Sequence, residues 1–226
     1  MSEQGAGKIS GVKLWSTMLF SSHWPGMEMH ADALKMYIRT LQQRQKENIA
    51  SRIAVESKSS HGILESDFDF LRDPHPSVQA LLSFIKSVLA TAVSIANELP
   101  NSERELLIDI VDSWYHVTND GGFHDAHFHH ACSWCGIFYL QVGESGRVGE
   151  AAPNGGSRFY CPLGLGGSYR DEGNRYLHAS VDPKIQDGVL LLFPSYLMHS
   201  GLPYRGAIDR IVIAFNARVQ RREHLV

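Results

Sequence analysis

Cysteine is scarce in this sequence. Only Cys132, Cys135 and Cys161 are present, and an odd number this small excludes the dense disulfide framework of small secreted domains. The first ten residues, Met1 to Ser10, are polar and lack the apolar centre of a secretory signal peptide. We therefore expect a protein of the reducing cytosol, with a cytoplasmic location.

Excess positive charge is also missing. The formal net charge is -3 and the isoelectric point is about 6.4, which gives no reason to expect a nucleic-acid partner. Three basic residues near the end of the chain, Arg218, Arg221 and Arg222, are too few to change this expectation. We predict no binding to nucleic acid.

An uninterrupted membrane-spanning run is absent. The longest apolar stretch, Ser77 to Leu99, contains Gln79, Lys86 and Glu98. Charged and amide side chains in the middle of such a run are unfavourable in a bilayer. We expect a buried helix that ends before Pro100, and no membrane association.

No repeat of 20 to 50 residues occurs. Near residue 100 the pattern changes from helical spacing to short, strand-like segments. Apolar spacing predicts helices over His30–Ala50, with Asp32 as a cap, and over Ser77–Leu99. A short strand is predicted over Val12–Phe20 and a loop-rich stretch over Ser57–Pro76. Strands are predicted over Leu106–Val117, Phe123–His129, Trp134–Val142, Ser157–Cys161, Arg175–Val181, Val189–Phe193, Tyr196–Ser200 and Arg210–Ala217.

This order of elements predicts an α+β, mainly β fold. We expect one domain over residues 1–226, with a helical part over 1–100 that braces a jelly-roll core over 101–220. The glycine-rich stretch Gly143–Gly173 is predicted to be a long irregular connection, either an active-site lid or a mobile surface loop.

Histidines are concentrated at one point of the chain. His127, His129 and Asp125 would share one face of the Phe123–His129 strand, while His124 and His130 would point to the other face and only pack there. Imidazoles and a carboxylate on a stiff strand make a candidate divalent-metal site. One strand rarely supplies a whole site, so a distant ligand is needed, and His199 is the candidate.

A single arginine follows the distant histidine at a strand start. Arg210 would share a strand face with small residues, while the bulky residues Ile211, Ile213 and Phe215 occupy the other face. The planar guanidinium can hold a carboxylate through two hydrogen bonds. A metal next to such an arginine suits an acid that also chelates the metal, and 2-oxoglutarate is such an acid.

Two segments carry a family resemblance. HFHHACSWCGIFYL and LLFPSYLMHSGLPYRGAIDRIVIAFN resemble the 2-oxoglutarate/iron(II) oxygenase family, and KLWSTMLF is similar to its N-terminus. The resemblance implies a double-stranded β-helix, an iron(II) centre, 2-oxoglutarate and O2. It places metal ligands at His127 and His199 and the co-substrate arginine at Arg210.

The third metal ligand is open at this stage. The wider superfamily uses His-x-Asp, whereas this chain has His-x-His, so we predict His129 as the ligand and keep Asp125 as the alternative. Three neutral ligands are also typical of zinc sites and of thiol dioxygenases. A cupin-like dioxygenase or isomerase without 2-oxoglutarate, or a non-catalytic metal-binding jelly roll, therefore stays an alternative.

Two cysteines and a tyrosine also lie near these motifs. The Cys132-x-x-Cys135 pair would point to opposite strand faces, and we interpret both residues as small buried side chains without a redox role. Tyr139 would share a face with Cys135. We expect a core tyrosine, with a contact from its hydroxyl to the co-substrate as the alternative if that face points inward.

The predicted activity is oxidation of a small-molecule substrate by hydroxylation, desaturation or cyclisation. A free amino acid is preferred to a protein substrate, because no charged docking surface is evident. The oligomeric state is left open, with a homodimer as the option considered.

Overall fold

The computed structural model describes residues 16–49, 60–99, 105–146, 153–163 and 171–221. These residues form two α-helices and nine β-strands, with short 3-10 turns at Phe70–Arg72 and Glu172–Asn174. The helices are α1 (Met27–Ile49) and α2 (Pro76–Ala96). The strands are β1 (Phe20–His23), β2 (Ser60–Glu65), β3 (Leu106–His127), β4 (Trp134–Gln141), β5 (Ser157–Tyr160), β6 (Ser180–Val181), β7 (Val189–Pro194), β8 (His199–Tyr204) and β9 (Arg210–Arg221).

All nine strands of the described residues belong to one curled antiparallel sheet. The order is β1-β7-β4-β9-β3-β8-β5-β6, with β2 added on β3. Strand β3 bends at Asp120 and Gly121, which have φ values of 52° and 86°, so its first half pairs with β9 and its second half with β8. Glycine adopts such a backbone without steric cost. The bend turns the end of β3 over the concave face of the sheet.

The helices cover the convex face. Helix α2 buries Val78, Leu81 and Ile85 completely against the sheet, in one cluster with Ile213 and Phe215 of β9. The mean hydropathy of α2 reaches 1.7, and its length would also suit a membrane span. Its packing, with the same face in contact with the sheet at each turn, is that of a core helix.

The predicted helices are confirmed, with shifted ends. Helix α1 begins at Met27, so the prediction that Asp32 caps its start is wrong; Asp32 lies one turn inside and pairs with Lys35 at 2.7 Å. Helix α2 begins at Pro76, which suits a first helical position because proline has no N–H to satisfy. It ends at Ala96, before Leu99.

Most predicted strands are confirmed, and some need correction. The predicted strands Leu106–Val117 and Phe123–His129 are parts of one strand, β3, which ends at His127. The Arg175–Val181 segment contains only the two-residue strand β6, because a 3-10 turn precedes it. The Tyr196–Ser200 strand begins only at His199, after a tight turn. Residues 16–19 of the Val12–Phe20 prediction form no strand, and residues 12–15 lie outside the described residues.

The loop predictions are wrong in part. The Ser57–Pro76 stretch contains strand β2, which pairs with β3. The Gly143–Gly173 stretch contains strand β5, and residues 147–152 and 164–170 of it lie outside the described residues.

Candidate metal and co-substrate site

Three histidines meet at the mouth of the curled sheet. His127, the last residue of β3, lies opposite His199, the first residue of β8, and their ring centroids are 4.5 Å apart. His129 follows two residues after β3, where its backbone N–H donates to the Ser195 carbonyl at 3.1 Å. One ligand nitrogen from each ring lies within 4.8 Å of the other two. These residues could hold one divalent metal ion.

Backbone carbonyls orient two of these rings. The Nδ1–H of His127 donates to the Asp125 carbonyl at 2.7 Å, and the Nδ1–H of His199 donates to the Leu197 carbonyl at 3.0 Å. A carbonyl can only accept, so this bond leaves Nε2 of each ring as the lone-pair donor. Metal-binding histidines are commonly held in this way.

The environment keeps these imidazoles neutral. Burial lowers the pKa of His199 to about 3 and that of His129 to about 4, with a further decrease from the neighbouring His127. Burial also lowers the pKa of His127. Because a metal binds the unprotonated ring, a lowered pKa favours ligation at neutral pH.

The alternative ligand Asp125 lies elsewhere. Its carboxylate is exposed and pairs with His61 of β2 at 2.7 Å, so only its backbone carbonyl contacts the histidine cluster. The predicted shared face of Asp125 and His127 is wrong, because the register of β3 shifts between His124 and His127. The prediction for His124 is also wrong, since His124 lines the cavity. His130 is exposed and packs edge-on against Phe128, as predicted.

A buried arginine lines the same cavity as the histidines. Arg210, the first residue of β9, is 5% exposed, and its Nε has no hydrogen-bond partner among the described residues. Its guanidinium carbon lies 5.4 Å from the centre of the Tyr139 ring. The Tyr139 hydroxyl shares a 2.7 Å hydrogen bond with Ser157, and burial raises its pKa. Tyr139 is therefore a neutral phenol next to a cation.

One cavity of about 300 Å³ is lined by both the three histidines and Arg210. Its lining includes the three histidines, Arg210, Ser157 and the small residues Val212 and Ala214 of β9. The prediction that Arg210 shares a face with small residues is therefore confirmed. A buried guanidinium with an unused donor suits an anionic ligand, because a buried charge is costly when unpaired.

The sequence interpretation missed three residues near this cavity: Thr118 and His116 of β3, and Glu65 of β2. Thr118 lies opposite Arg210 in the β3–β9 ladder. Trp114 and His116 alternate along the predicted strand Leu106–Val117, and continuing that strand by one residue places Thr118 on the same face. This pattern could have shown His116 and Thr118. Glu65 lies in a stretch where no strand was predicted.

Residues 112–216 match the family model described as "Putative 2OG-Fe(II) oxygenase". Residues 112–216, slightly under half of the chain, are therefore similar to this oxygenase family. No curated protein matches the sequence.

Solved structures share the fold of this chain at low sequence identity. A prolyl hydroxylase of Trichoplax adhaerens, in complex with a peptide fragment, has 12% identity and a TM-score of 0.52, over 88% of this chain and 83% of that one. HygX of Streptomyces hygroscopicus, with nickel and 2-oxoglutarate bound, has 13% identity and a TM-score of 0.50, over 89% and 83%. The epimerase SnoN, in complex with Fe3+, alpha ketoglutarate and nogalamycin RO, has 11% identity and a TM-score of 0.52, over 89% and 81%. The curled sheet with two helices is thus a double-stranded β-helix.

Similarity to this family implies iron(II), 2-oxoglutarate and O2. The residues present fit these groups, because a cluster of three neutral imidazoles and a buried cation with an unused donor line one cavity. The donor set differs from the two-histidine, one-carboxylate set of many non-haem iron sites, since no carboxylate belongs to this cluster.

The two cysteines of the C-x-x-C motif lie closer than predicted. Cys132 precedes strand β4, so the alternation of strand faces does not separate it from Cys135, and the two Sγ atoms are 3.9 Å apart. The hydrogen bond from the Cys135 thiol lowers the pKa of Cys132 to about 7. Cys135 is buried, but Cys132 is only partly buried, which corrects that prediction.

Proposed function

We propose that this protein is a 2-oxoglutarate-dependent oxygenase that binds iron(II) through His127, His129 and His199, and binds the far carboxylate of 2-oxoglutarate through Arg210 and Tyr139. We further propose that the substrate is a small molecule with an amino group, of which a free amino acid is the simplest case. The observation that carries this proposal is the buried Arg210, whose Nε lacks a partner, in the same cavity as three clustered imidazoles.

Iron(II) with 2-oxoglutarate and O2 supplies the oxidising power for attack on a C–H bond, with succinate and CO2 as by-products. The protein provides orientation and charge. His127 and His199 offer Nε2 because their Nδ1 atoms are bound to carbonyls. Arg210, in the wall of the same cavity, would neutralise the carboxylate. Tyr139 can donate its hydroxyl proton to the same carboxylate.

The charges of the cavity wall support an amine-bearing substrate. Glu65 and Asp112 are the carboxylates of the lining, and Arg210 is its one arginine or lysine among the described residues. Asp112 lines the cavity together with the exposed Phe68 and the buried Trp114, so a cationic group could pair with the carboxylate and lie against an aromatic ring. A volume of about 300 Å³ is at the small end of ligand pockets.

The metal and co-substrate roles are tested by spectroscopy under anaerobic conditions. Iron-loaded protein should develop a weak visible charge-transfer band when 2-oxoglutarate is added. His199→Ala should lose the band at all concentrations, and Arg210→Met should require far more 2-oxoglutarate. Arg221→Met, a partly exposed arginine at the other end of β9, is the matched control. A band that titrates normally in Arg210→Met would contradict the proposed role of Arg210.

The substrate class is tested by succinate release. A panel of free amino acids should include at least one that stimulates conversion of 2-oxoglutarate to succinate, and its N-acetylated form should not. The mass of the product distinguishes hydroxylation, which adds oxygen, from desaturation or cyclisation, which remove two hydrogens. Stimulation by N-acetylated or peptide compounds alone would contradict the amine requirement.

The three-histidine cluster also favours a second candidate function, a metal-dependent dioxygenase that does not use 2-oxoglutarate. Its donor set carries no charge, as in several thiol and cupin-type sites. Oxygen consumption with a substrate panel in the absence of 2-oxoglutarate would support this candidate. A strict requirement for 2-oxoglutarate would exclude it.

A further inference from the structure

A second group of metal-binding side chains lines the same cavity. Nε2 of His116 lies 2.9 Å from Oε1 of Glu65, and Nε2 of His124 lies 3.2 Å from the same oxygen. The three atoms offered by these residues lie within 4.8 Å of one another. None of them belongs to the cluster of His127, His129 and His199.

The fold builds this group from three separate segments. Glu65 ends β2 and lies opposite His116 in the β2–β3 ladder. His124 follows the bend of β3 at Asp120 and Gly121, which returns the strand toward His116, so the two rings are 4.6 Å apart. Sites assembled on strands hold their ligands more rigidly than sites on loops.

The spacing of these atoms suits a bound cation. A zinc-like ion holds nitrogen and oxygen ligands at about 2.0–2.2 Å, which places neighbouring ligand atoms roughly 3 to 3.5 Å apart in tetrahedral or octahedral geometry. The contacts of 2.9 and 3.2 Å from Glu65 already fall close to this range. An ion could therefore enter with little movement of the backbone.

The charge of the group also suits a cation. Burial lowers the pKa of His116 to about 4, which leaves a neutral ring. Burial alone would raise the pKa of Glu65, but the adjacent rings of His116 and His124 lower it well below its usual range, so the carboxylate is charged. One carboxylate and two imidazoles make the donor set that the three-histidine cluster lacks.

We propose that Glu65, His116 and His124 form a second divalent-cation site, for an ion of the zinc or iron(II) class. The rings of His124 and His127 are 5.7 Å apart, so this ion would share the cavity with the ion of the three-histidine cluster. The proposal does not depend on the proposed function, because it concerns metal binding alone.

One neighbour competes with the ion. The indole N–H of Trp114 donates to Nε2 of His116, and this nitrogen is the one that would bind the ion. A cation must displace that hydrogen bond. Replacing the indole by a phenyl ring removes the competing donor and keeps an aromatic side chain at the position.

The test is a titration of the metal-free full chain with cobalt(II), followed by calorimetry and by the visible d–d absorption. We expect the wild-type protein to bind two equivalents of cobalt(II). Glu65→Gln and His124→Asn should each bind one, and His199→Ala should also bind one, with a different d–d spectrum. Trp114→Phe should tighten the second equivalent several-fold. Thermal unfolding of the metal-free variants checks that each is folded.

The outcomes separate the two sites. One equivalent in the wild type that Glu65→Gln retains, and His199→Ala loses, would overturn the second site and leave the proposed function intact. One equivalent that Glu65→Gln loses, and His199→Ala retains, would support this site and overturn the three-histidine centre.

Discussion

Arg210 lies directly opposite Thr118 in the β3–β9 ladder, and each has a buried polar atom without a hydrogen-bond partner among the described residues. An unmet buried hydrogen bond costs about 1–3 kcal/mol. Two such atoms at paired positions, one of them on a residue that lines the cavity, are typical of a binding site for a polar ligand.

Thr118→Val tests whether the hydroxyl serves the co-substrate. Valine keeps the shape of threonine and removes the hydroxyl, so 2-oxoglutarate should bind more weakly by about 1 kcal/mol, or roughly fivefold. The same change should maintain or raise the stability of the co-substrate-free protein, because it removes an unsatisfied polar atom. Affinity is measured with the anaerobic charge-transfer band, and stability by thermal unfolding.

Thr118→Ser is the matched control for this change. Serine keeps the hydroxyl, so its 2-oxoglutarate affinity should stay close to that of the wild type. If Thr118→Val binds 2-oxoglutarate as tightly as the wild type, the hydroxyl has another role.

Two substitutions test whether His129 or Asp125 is the third metal ligand. His129→Ala should lower iron affinity at least 100-fold, because it removes one of three ligands. Asp125→Asn should leave iron affinity unchanged, since its carboxylate pairs with His61 on the surface. Iron content after gel filtration and a competitive chelator titration measure both. Loss of iron in Asp125→Asn with retention in His129→Ala would reverse the assignment.

The main parts of the site could be predicted from short-range pattern. The alternation along β9 correctly placed Arg210 with small residues, because a strand has a side-chain period of two. His127 and His199 were also predicted as a pair, and the β3–β8 ladder brings them together. A regular strand allows such inferences because its geometry depends on local sequence.

The remaining parts depended on irregular or distant structure. His124 reaches the cavity because β3 bends at Gly121 and its register shifts before His127, and strand alternation cannot describe a shift. Glu65 comes from β2, whose pairing with β3 is a long-range contact without a local motif. Cys132 approaches Cys135 because it lies before the strand begins.

Buried histidines should make the metal-free protein sensitive to acid. Burial lowers the pKa of His199 to about 3 and that of His129 to about 4, while an unfolded chain has values near 6.5. Below about pH 6.5 the unfolded chain binds protons that the folded chain does not, so the free energy of unfolding falls as the pH decreases toward 4. At pH 5 the loss is up to about 2 kcal/mol for each such histidine.

Urea unfolding of metal-free protein at pH 7.5, 6 and 5 measures this slope. His199→Gln should show a shallower decrease than the wild type, because glutamine does not titrate. Slopes rather than absolute stabilities are compared, since the substitution also changes packing. A free energy of unfolding that is independent of pH between 7.5 and 5 would contradict the burial of neutral rings.

Gly136 of β4 lets the sheet pack closely against its core, and Gly136→Ala should be strongly destabilising. A β-carbon at this position would lie 2.3 Å from the Phe215 ring and 3.0 Å from a methyl group of Leu192, both of which are fully buried. Overpacking a rigid core costs about 1–3 kcal/mol, so the melting temperature should fall by several degrees. Gly201→Ala is the matched control, because its β-carbon would meet its nearest neighbour only at 3.4 Å, and its melting temperature should change little. Equal melting temperatures for Gly136→Ala and the wild type would mean that Phe215 can move aside, and that the core behind the active-site strands is less rigid than its packing indicates.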